Sequence, residues 1–224
     1  MPQPLSLVKR DAYLHFHVGT FTADNAGLFH IALEVIARAA FADQGWANLF
    51  IILMRSNPLP SYAMFKRLES ASAKMAVLKA AAEAVLSNED YRLLMAVMNA
   101  VKGPFKVRHK FAHHIWGHSP DLANCLLLAE PEIFTLMQLE GVERARKWKE
   151  GSLQQELPEI DRSKVFVWTQ RDLEDAFNDM TMSVVAIRHI TERFMVDAGH
   201  PSHNDRLQDL LKWPRFSEVL LNTE

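Results

Sequence analysis

The feature that most constrains this chain is the three- and four-residue spacing of its apolar side chains between residues 28 and 53. The positions with this spacing are Leu28, Ile31, Val35, Ile36, Ala39, Trp46, Leu49, Phe50 and Leu53. Because an α-helix completes one turn every ~3.6 residues, these side chains form one stripe that must be buried. The pattern predicts a helix that is capped by Thr22 or Asp24, runs to Arg55, and bends or breaks at Gly45.

Similar spacing, together with capping residues, predicts further helices. A loop at residues 57–60 (NPLP) precedes a short helix that Ser61 caps, and Gly117 ends the helix that opens at Pro104. Thr169 and Asp172 resemble a capping box that opens a long helix. The predicted helices cover about residues 61–68, 72–86, 88–101, 104–116 and 169–196.

Strand patterns are few and short. Weak alternation near the start of the chain predicts a short strand or an extended arm, and the predicted strands are residues 125–129, 133–137 and 165–168. The charged stretch 140–162 predicts a solvated loop with a helical turn. The fold class is therefore mainly α, a helical bundle of about four to six helices with a small β-hairpin or sheet insertion after the 104–116 helix.

We expect a single domain over residues 1–224. Its helical core covers about residues 24–130 and 169–197, with the β and charged insertion at about 121–168. Residues 199–224 form a C-terminal tail with one amphipathic piece, carried by Leu207, Leu210, Leu211 and Trp213.

Composition limits the partners and the compartment. A net charge of −2 gives no general attraction to nucleic acid, so contact with RNA or DNA must come from a local basic patch. Cys125 is the one cysteine, which excludes an internal disulfide and a cysteine-based zinc site and fits a reducing cytosol. The pattern of a signal peptide is absent, and the longest apolar run is too short to span a bilayer. We therefore expect a cytoplasmic protein without a membrane partner.

A local basic patch exists at residues 91–120, which contain no Asp or Glu. Its charged and imidazole side chains are Arg92, Lys102, Lys106, Arg108, Lys110, His109, His113, His114 and His118. Arg stabilises the charge that develops on a phosphodiester during cleavage, while His transfers a proton, so the patch suggests a phosphodiester substrate. The residue types alone leave a plainer alternative open, in which Arg108 is a surface cation and His113 an imidazole at the end of a helix.

Residues 108–113 (RHKFAH), called the motif below, resemble the signature of the HEPN superfamily (higher eukaryotes and prokaryotes nucleotide-binding domains), in which Arg and a polar residue are followed by His. His109 fills the polar position, and the Ala-His pair followed by Trp116 looks like that of many uncharacterised bacterial members. His114 replaces the glycine common in those members, which leaves open whether His113 or His114 faces the site. The resemblance covers roughly residues 24–130.

The resemblance implies a helical bundle that dimerises, with the two motif helices meeting in a cleft, and a metal-independent endoribonuclease without a cofactor. Arg108 and His113 would be the catalytic residues, with His113 as general acid or base and Arg108 stabilising the transition state. The supporting or RNA-binding residues would be His109, Lys110, His114, Lys106 and Trp116. The partners would then be RNA, a second copy and an antitoxin or other protein, as in a toxin or defence component.

Two alternatives stay open at this point. The first is a non-catalytic HEPN-like dimer module that binds a nucleotide or a protein. The second, weaker, is a histidine metal site, because His109 and His113 have the spacing that lets two imidazoles bind one ion, as do His114 and His118. The neighbouring sequence offers no carboxylate to complete such a site, so we predict no metal ligands.

Overall fold

The computed structural model describes residues 1–16, 25–149, 161–196 and 210–221. It confirms a mainly helical chain with a small antiparallel sheet. The chain divides into two compact units, of which unit 1 comprises residues 1–34 and 107–177 and unit 2 comprises residues 35–106 and 178–224. The single domain over residues 1–224 stays a prediction. Within the described ranges, no helix is long and apolar enough to cross a membrane.

The helices begin and end close to most of the predicted positions. They are α1 (Leu5–Val8), α2 (Ala26–Met54), α3 (Pro58–Arg67), α4 (Ala71–Val85), α5 (Asn88–Ala100), α6 (Lys102–His113), α7 (Pro131–Lys149), α8 (Gln170–Val196) and α9 (Pro214–Leu221). Ser87 caps α5, because its side chain accepts a hydrogen bond from the Asp90 N–H. The caps predicted for α2, Thr22 and Asp24, lie outside the described residues.

Helix α2 runs without interruption through Gly45, where a bend or break was predicted. A Cβ atom at this position would lie 2.7 Å from Cγ2 of Ile187, well inside contact distance. Gly45 therefore allows α2 and α8 to pack closely and does not end the helix.

The loop predicted at residues 57–60 is wrong, because α3 begins at Pro58. Asn57 rather than Ser61 is the N-cap, and its Oδ1 accepts a hydrogen bond from the Leu59 N–H at 3.1 Å. Proline fits the first helical position, where its missing N–H would have no partner in any case. The two prolines thus mark the start of a helix.

The sheet lies in unit 1 and has the strand order β1-β4-β3-β2, with all neighbours antiparallel. Its strands are β1 (Gln3–Pro4), β2 (Ile115–Gly117), β3 (Cys125–Ala129) and β4 (Val165–Thr169). The predictions of strands at residues 125–129 and 165–168 are confirmed. Leu127 pairs with Val167 in the centre of the sheet, and both side chains are buried in the core of this unit.

The strand predicted at residues 133–137 is wrong, because these residues belong to α7. Pro131 takes the first position of α7, where its missing N–H costs nothing, and β3 already has a neighbouring strand on each side. The charged stretch predicted as a loop is helical to Lys149, residues 150–160 lie outside the described residues, and a short 3-10 turn spans Arg162–Lys164.

Unit 2 has its own core, and the described part of the predicted C-terminal tail belongs to it. Leu210 and Phe216 are fully buried there beside Trp213. Asp179 on α8 accepts hydrogen bonds from Trp213 Nε1 at 3.2 Å and from Arg215 Nε at 2.7 Å. These contacts hold residues 210–221 against α8, while residues 199–209 and 222–224 lie outside the described residues.

Candidate functional site

The helix that carries the motif, α6, ends at His113 and not at Trp116 as predicted. Residues 115–117 form strand β2 instead, paired with β3. A Cβ atom on Gly117 would lie 2.5 Å from Cδ1 of Phe16 and 2.7 Å from the His15 carbonyl oxygen. Gly117 is therefore needed for a close approach of two chain segments, and its predicted role as a helix terminator is wrong.

Phe111 anchors the motif in unit 1. Its side chain is 1% exposed, and its ring meets the Trp168 ring edge-on at 4.6 Å between centroids. Trp116 Nε1 donates a hydrogen bond of 3.0 Å to the Phe111 carbonyl oxygen, which is one of the carbonyls left without a helical partner at the end of α6. These contacts fix the rotation of the last turns and leave His109 and His113 exposed.

His109 and His113 form a pair on the exposed side of α6. Their ring centroids are 4.4 Å apart and the rings are tilted by 47°. They occupy positions i and i+4, which lie above one another on a helix. His113 is in the last turn of the helix. The pair can bind an anionic ligand when protonated and accept a proton when neutral.

Arg108 precedes this pair and is half-buried. Its Nε atom is buried and has no hydrogen-bond partner among the described residues. A buried donor without a partner costs free energy, more so when the group is charged. Guanidinium N–H groups match the geometry of phosphate and carboxylate oxygens, so the half-buried side chain of Arg108 has donors suited to such an anion.

Lys110 and His114 lie against Phe166 on β4. Lys110 Nζ is 4.5 Å from the centroid of the Phe166 ring, and the His114 ring centroid is 6.5 Å from it. Burial lowers the pKa of His114, the positive charge of Lys110 lowers it further, and Glu130 acts in the opposite direction. His114 is therefore a half-buried imidazole whose neutral form is favoured, whereas His113 is the one exposed beside His109.

Two further predicted site residues lie outside residues 108–113. Lys106 is exposed on α6, three residues before His109. Trp116 is on β2, where its indole N–H bonds to the end of α6 and its ring meets Phe29 edge-on at 4.9 Å. Its contacts make Trp116 part of the packing around the motif, and its role toward RNA stays a prediction.

A second pair of imidazoles was missed by the sequence analysis. His15 and His118 exchange two backbone hydrogen bonds, of 2.9 and 3.0 Å, and their rings stack at 5.0 Å between centroids. The alternation near the start of the chain suggested an extended segment but not its partner, because the pairing joins residues far apart in sequence. His17, which shares this pattern, lies outside the described residues.

The histidines of the described ranges do not assemble into a metal site. No group of three or more His, Cys, Asp or Glu side chains within these ranges is placed to hold a metal ion. Each of the two histidine pairs, His109 with His113 and His15 with His118, supplies two imidazoles, which is fewer than the three ligands of such a group.

Comparison of the chain with protein-family models, with curated proteins and with solved structures gives no match. The resemblance of the motif to the HEPN signature therefore stays a prediction.

Proposed function

We propose that the motif is the centre of a metal-independent endoribonuclease, with Arg108 and His113 as its catalytic residues. The observation that carries this proposal is the exposed imidazole pair of His109 and His113, 4.4 Å apart, on the helix turns that also hold the unpaired Nε of Arg108. A proton-transfer group next to a fixed cation is the combination that cleavage of an RNA phosphodiester needs.

The chemistry follows from the residue types. His113 in its neutral form accepts the proton of the RNA 2′-hydroxyl as the 2′ oxygen bonds to phosphorus. The bond from phosphorus to the 5′ oxygen breaks, and an imidazolium, either the one just formed or that of His109, returns a proton to that oxygen. The products are a 2′,3′-cyclic phosphate and a free 5′-hydroxyl. Arg108 stabilises the additional negative charge on the phosphoryl oxygens during the step.

The unpaired nitrogen of Arg108 supports a role in ligand binding over a role in holding the fold. An arginine kept for structure has its buried donors satisfied by the protein. The Nε of Arg108 has no such partner among the described residues. Removal of the guanidinium should therefore reduce activity without lowering the free energy of unfolding.

Dimerisation belongs to the same proposal. The resemblance implies that two motif helices meet in a cleft, and the exposed surface of His109 and His113 leaves room for RNA or a second copy. Light scattering on the purified chain measures the mass of the particle directly. A non-catalytic module that binds a nucleotide or protein through the same residues is the alternative that the cleavage assay distinguishes.

The test is cleavage of a labelled RNA by the purified chain in EDTA. We expect wild type to produce 2′,3′-cyclic phosphate ends and His113→Ala to be slower by about 100-fold or more, the usual contribution of a general acid or base. Arg108→Ala should lose a comparable factor, and Arg108→Lys should recover part of it, because lysine keeps the charge but not the fork of donors.

His30→Ala and Arg171→Ala are the matched controls, because both residues are exposed on helices outside the motif. Both should cleave at the wild-type rate. If wild type leaves RNA intact in EDTA, or if His113→Ala cleaves as fast as His30→Ala, the ribonuclease proposal is wrong. Binding of RNA by wild type and its loss in Arg108→Ala, without cleavage, would then favour the non-catalytic module.

A further inference from the structure

Unit 2 contains a cavity of about 520 Å³ that the motif residues do not line. Helices α2, α4, α5 and α6 contribute most of its wall, and Phe65 of α3 contributes one side. This volume lies within the range of about 300–1,000 Å³ typical of small-molecule sites.

The inner wall of the cavity is apolar and adaptable. Trp46 and Phe65 are each 2% exposed, Met98 is 8% exposed, and the half-buried Met75 and Met95 complete this surface. Methionine side chains have three rotatable bonds and adjust to ligands of irregular or flexible shape. The wall therefore suits a flexible alkyl chain and has little to offer the polar edge of a base or sugar.

Charged side chains line the same cavity, and cations outnumber carboxylates. The cations are Lys74, Lys79 and Lys102, and the carboxylates are Asp43 and Glu69. Lys74 Nζ lies 5.9 Å from the centroid of the Phe65 ring, which places one cation beside the apolar wall. Lys102 Nζ donates a hydrogen bond of 2.7 Å to Asn99 Oδ1, which also lines the cavity.

We propose that this cavity binds an amphipathic organic anion, a medium-chain alkyl carboxylate. The alkyl chain packs on Trp46, Phe65 and the methionines, and the carboxylate pairs with Lys74 and Lys102. The excess of lysine over acid favours an anionic head group over a cationic one. This site is independent of the ribonuclease proposal, because its lining residues include none of the proposed catalytic residues.

The test is isothermal titration of decanoate, decan-1-ol and decylammonium into the full-length chain, with the two ions below their micelle concentrations and decan-1-ol below its solubility limit. We expect decanoate to bind about tenfold more tightly than decylammonium, which has the same alkyl chain and the opposite charge. Decan-1-ol should bind with intermediate affinity, since it keeps the alkyl packing and lacks the ion pair.

Variants assign the binding to this cavity. Lys74→Met with Lys102→Met should weaken decanoate binding about tenfold and leave decan-1-ol binding unchanged. Lys66→Met is the control, because Lys66 is an exposed cation on α3 that does not line the cavity. Ala76→Trp, at an exposed position of the lining, should fill the cavity and abolish binding of both ligands without disturbing the core.

Three outcomes would overturn the proposal. They are no binding of decanoate at about 1 mM, equal affinity for decanoate and decylammonium, and unchanged decanoate binding in the Lys74 and Lys102 double variant whose folding is verified by circular dichroism. A cavity that serves instead as a groove for a helix of another protein would give the first of these results.

Discussion

The substitutions Trp116→Phe and Trp168→Phe each remove the indole nitrogen of a tryptophan next to Phe111. We expect them to change the free energy of unfolding by different amounts. Trp116 Nε1 donates a 3.0 Å hydrogen bond to the Phe111 carbonyl oxygen. Trp168 Nε1 is buried and has no hydrogen-bond partner within the described part of the chain. Both rings lie near the Phe111 ring, at 5.9 and 4.6 Å between centroids, so the two substitutions form a matched pair.

The two variants should differ in stability because the Trp116 nitrogen donates a hydrogen bond and the Trp168 nitrogen, among the described residues, does not. Trp116→Phe leaves the carbonyl at the end of α6 without this donor, at a cost of about 1–3 kcal/mol. Trp168→Phe removes an unsatisfied buried donor and with it a desolvation penalty of about 1–3 kcal/mol. Trp168 is 2% exposed and leaves the larger cavity, which offsets part of that gain. We expect Trp116→Phe to lower the free energy of unfolding by at least about 1 kcal/mol more than Trp168→Phe.

Urea unfolding followed by far-ultraviolet circular dichroism measures this difference. The dependence of the free energy on urea should be the same in both variants, so that the midpoints can be compared directly. Coincident transitions by circular dichroism and fluorescence verify two-state unfolding. An equal or larger loss in Trp168→Phe would refute the reasoning, because the cost of the cavity would then outweigh any gain from removing the unsatisfied nitrogen.

Three further predictions concern the surroundings of the motif. Gly117→Ala should lower the free energy of unfolding by about 1–3 kcal/mol in urea titration, because its Cβ would collide with Phe16 and the His15 carbonyl; Gly141→Ala, with open space around it, should not. Thr169→Ala should lower the same quantity by about 1 kcal/mol through loss of the hydroxyl that accepts from the Asp172 N–H, and a wild-type value would show that this cap contributes nothing. Because folding lowers the pKa of His114, the unfolded chain binds more protons than the folded chain just below pH 6.5. The free energy of unfolding should therefore keep its full value above pH 6.5 and decrease as the pH falls from 6.5 toward the folded pKa. His114→Asn should flatten this part of the stability profile, and an unchanged slope would contradict the assignment.

Local sequence signals located most helices correctly, because their determinants lie within a few residues of each other. Ser87 caps α5, and at the start of α8 the Thr169 hydroxyl accepts from the Asp172 N–H while the Asp172 carboxylate accepts from the Thr169 N–H, as in a capping box. The same kind of signal was present at Asn57, but the two prolines that follow were interpreted as a loop. Asparagine before proline opens a helix as readily as it opens a turn, and the sequence alone does not distinguish the two.

The candidate site was located only in part. The sequence identified the motif and its cations, and it placed His109 and His113 one turn apart on a helix. It did not show which of His113 and His114 is exposed, because that depends on the contacts of Phe111 and on the strand that carries Phe166. It also did not identify the cavity of unit 2, since its lining comes from five helices that are separate in sequence.

The sequence by itself determined that this chain is mainly helical, that two of its apolar runs are strands, and that its basic residues include an acid-free segment at residues 91–120. Only the tertiary structure decided where α6 ends, because the pairing of residues 115–117 with β3 and the close approach of Phe16 to Gly117 outweigh the helical preference of those residues. The physical reason is the separation in sequence over which each interaction acts. Caps and helical periodicity act within one or two turns, whereas strand pairing, the burial of Phe111 and the pKa of His114 depend on residues that meet only when the chain has folded.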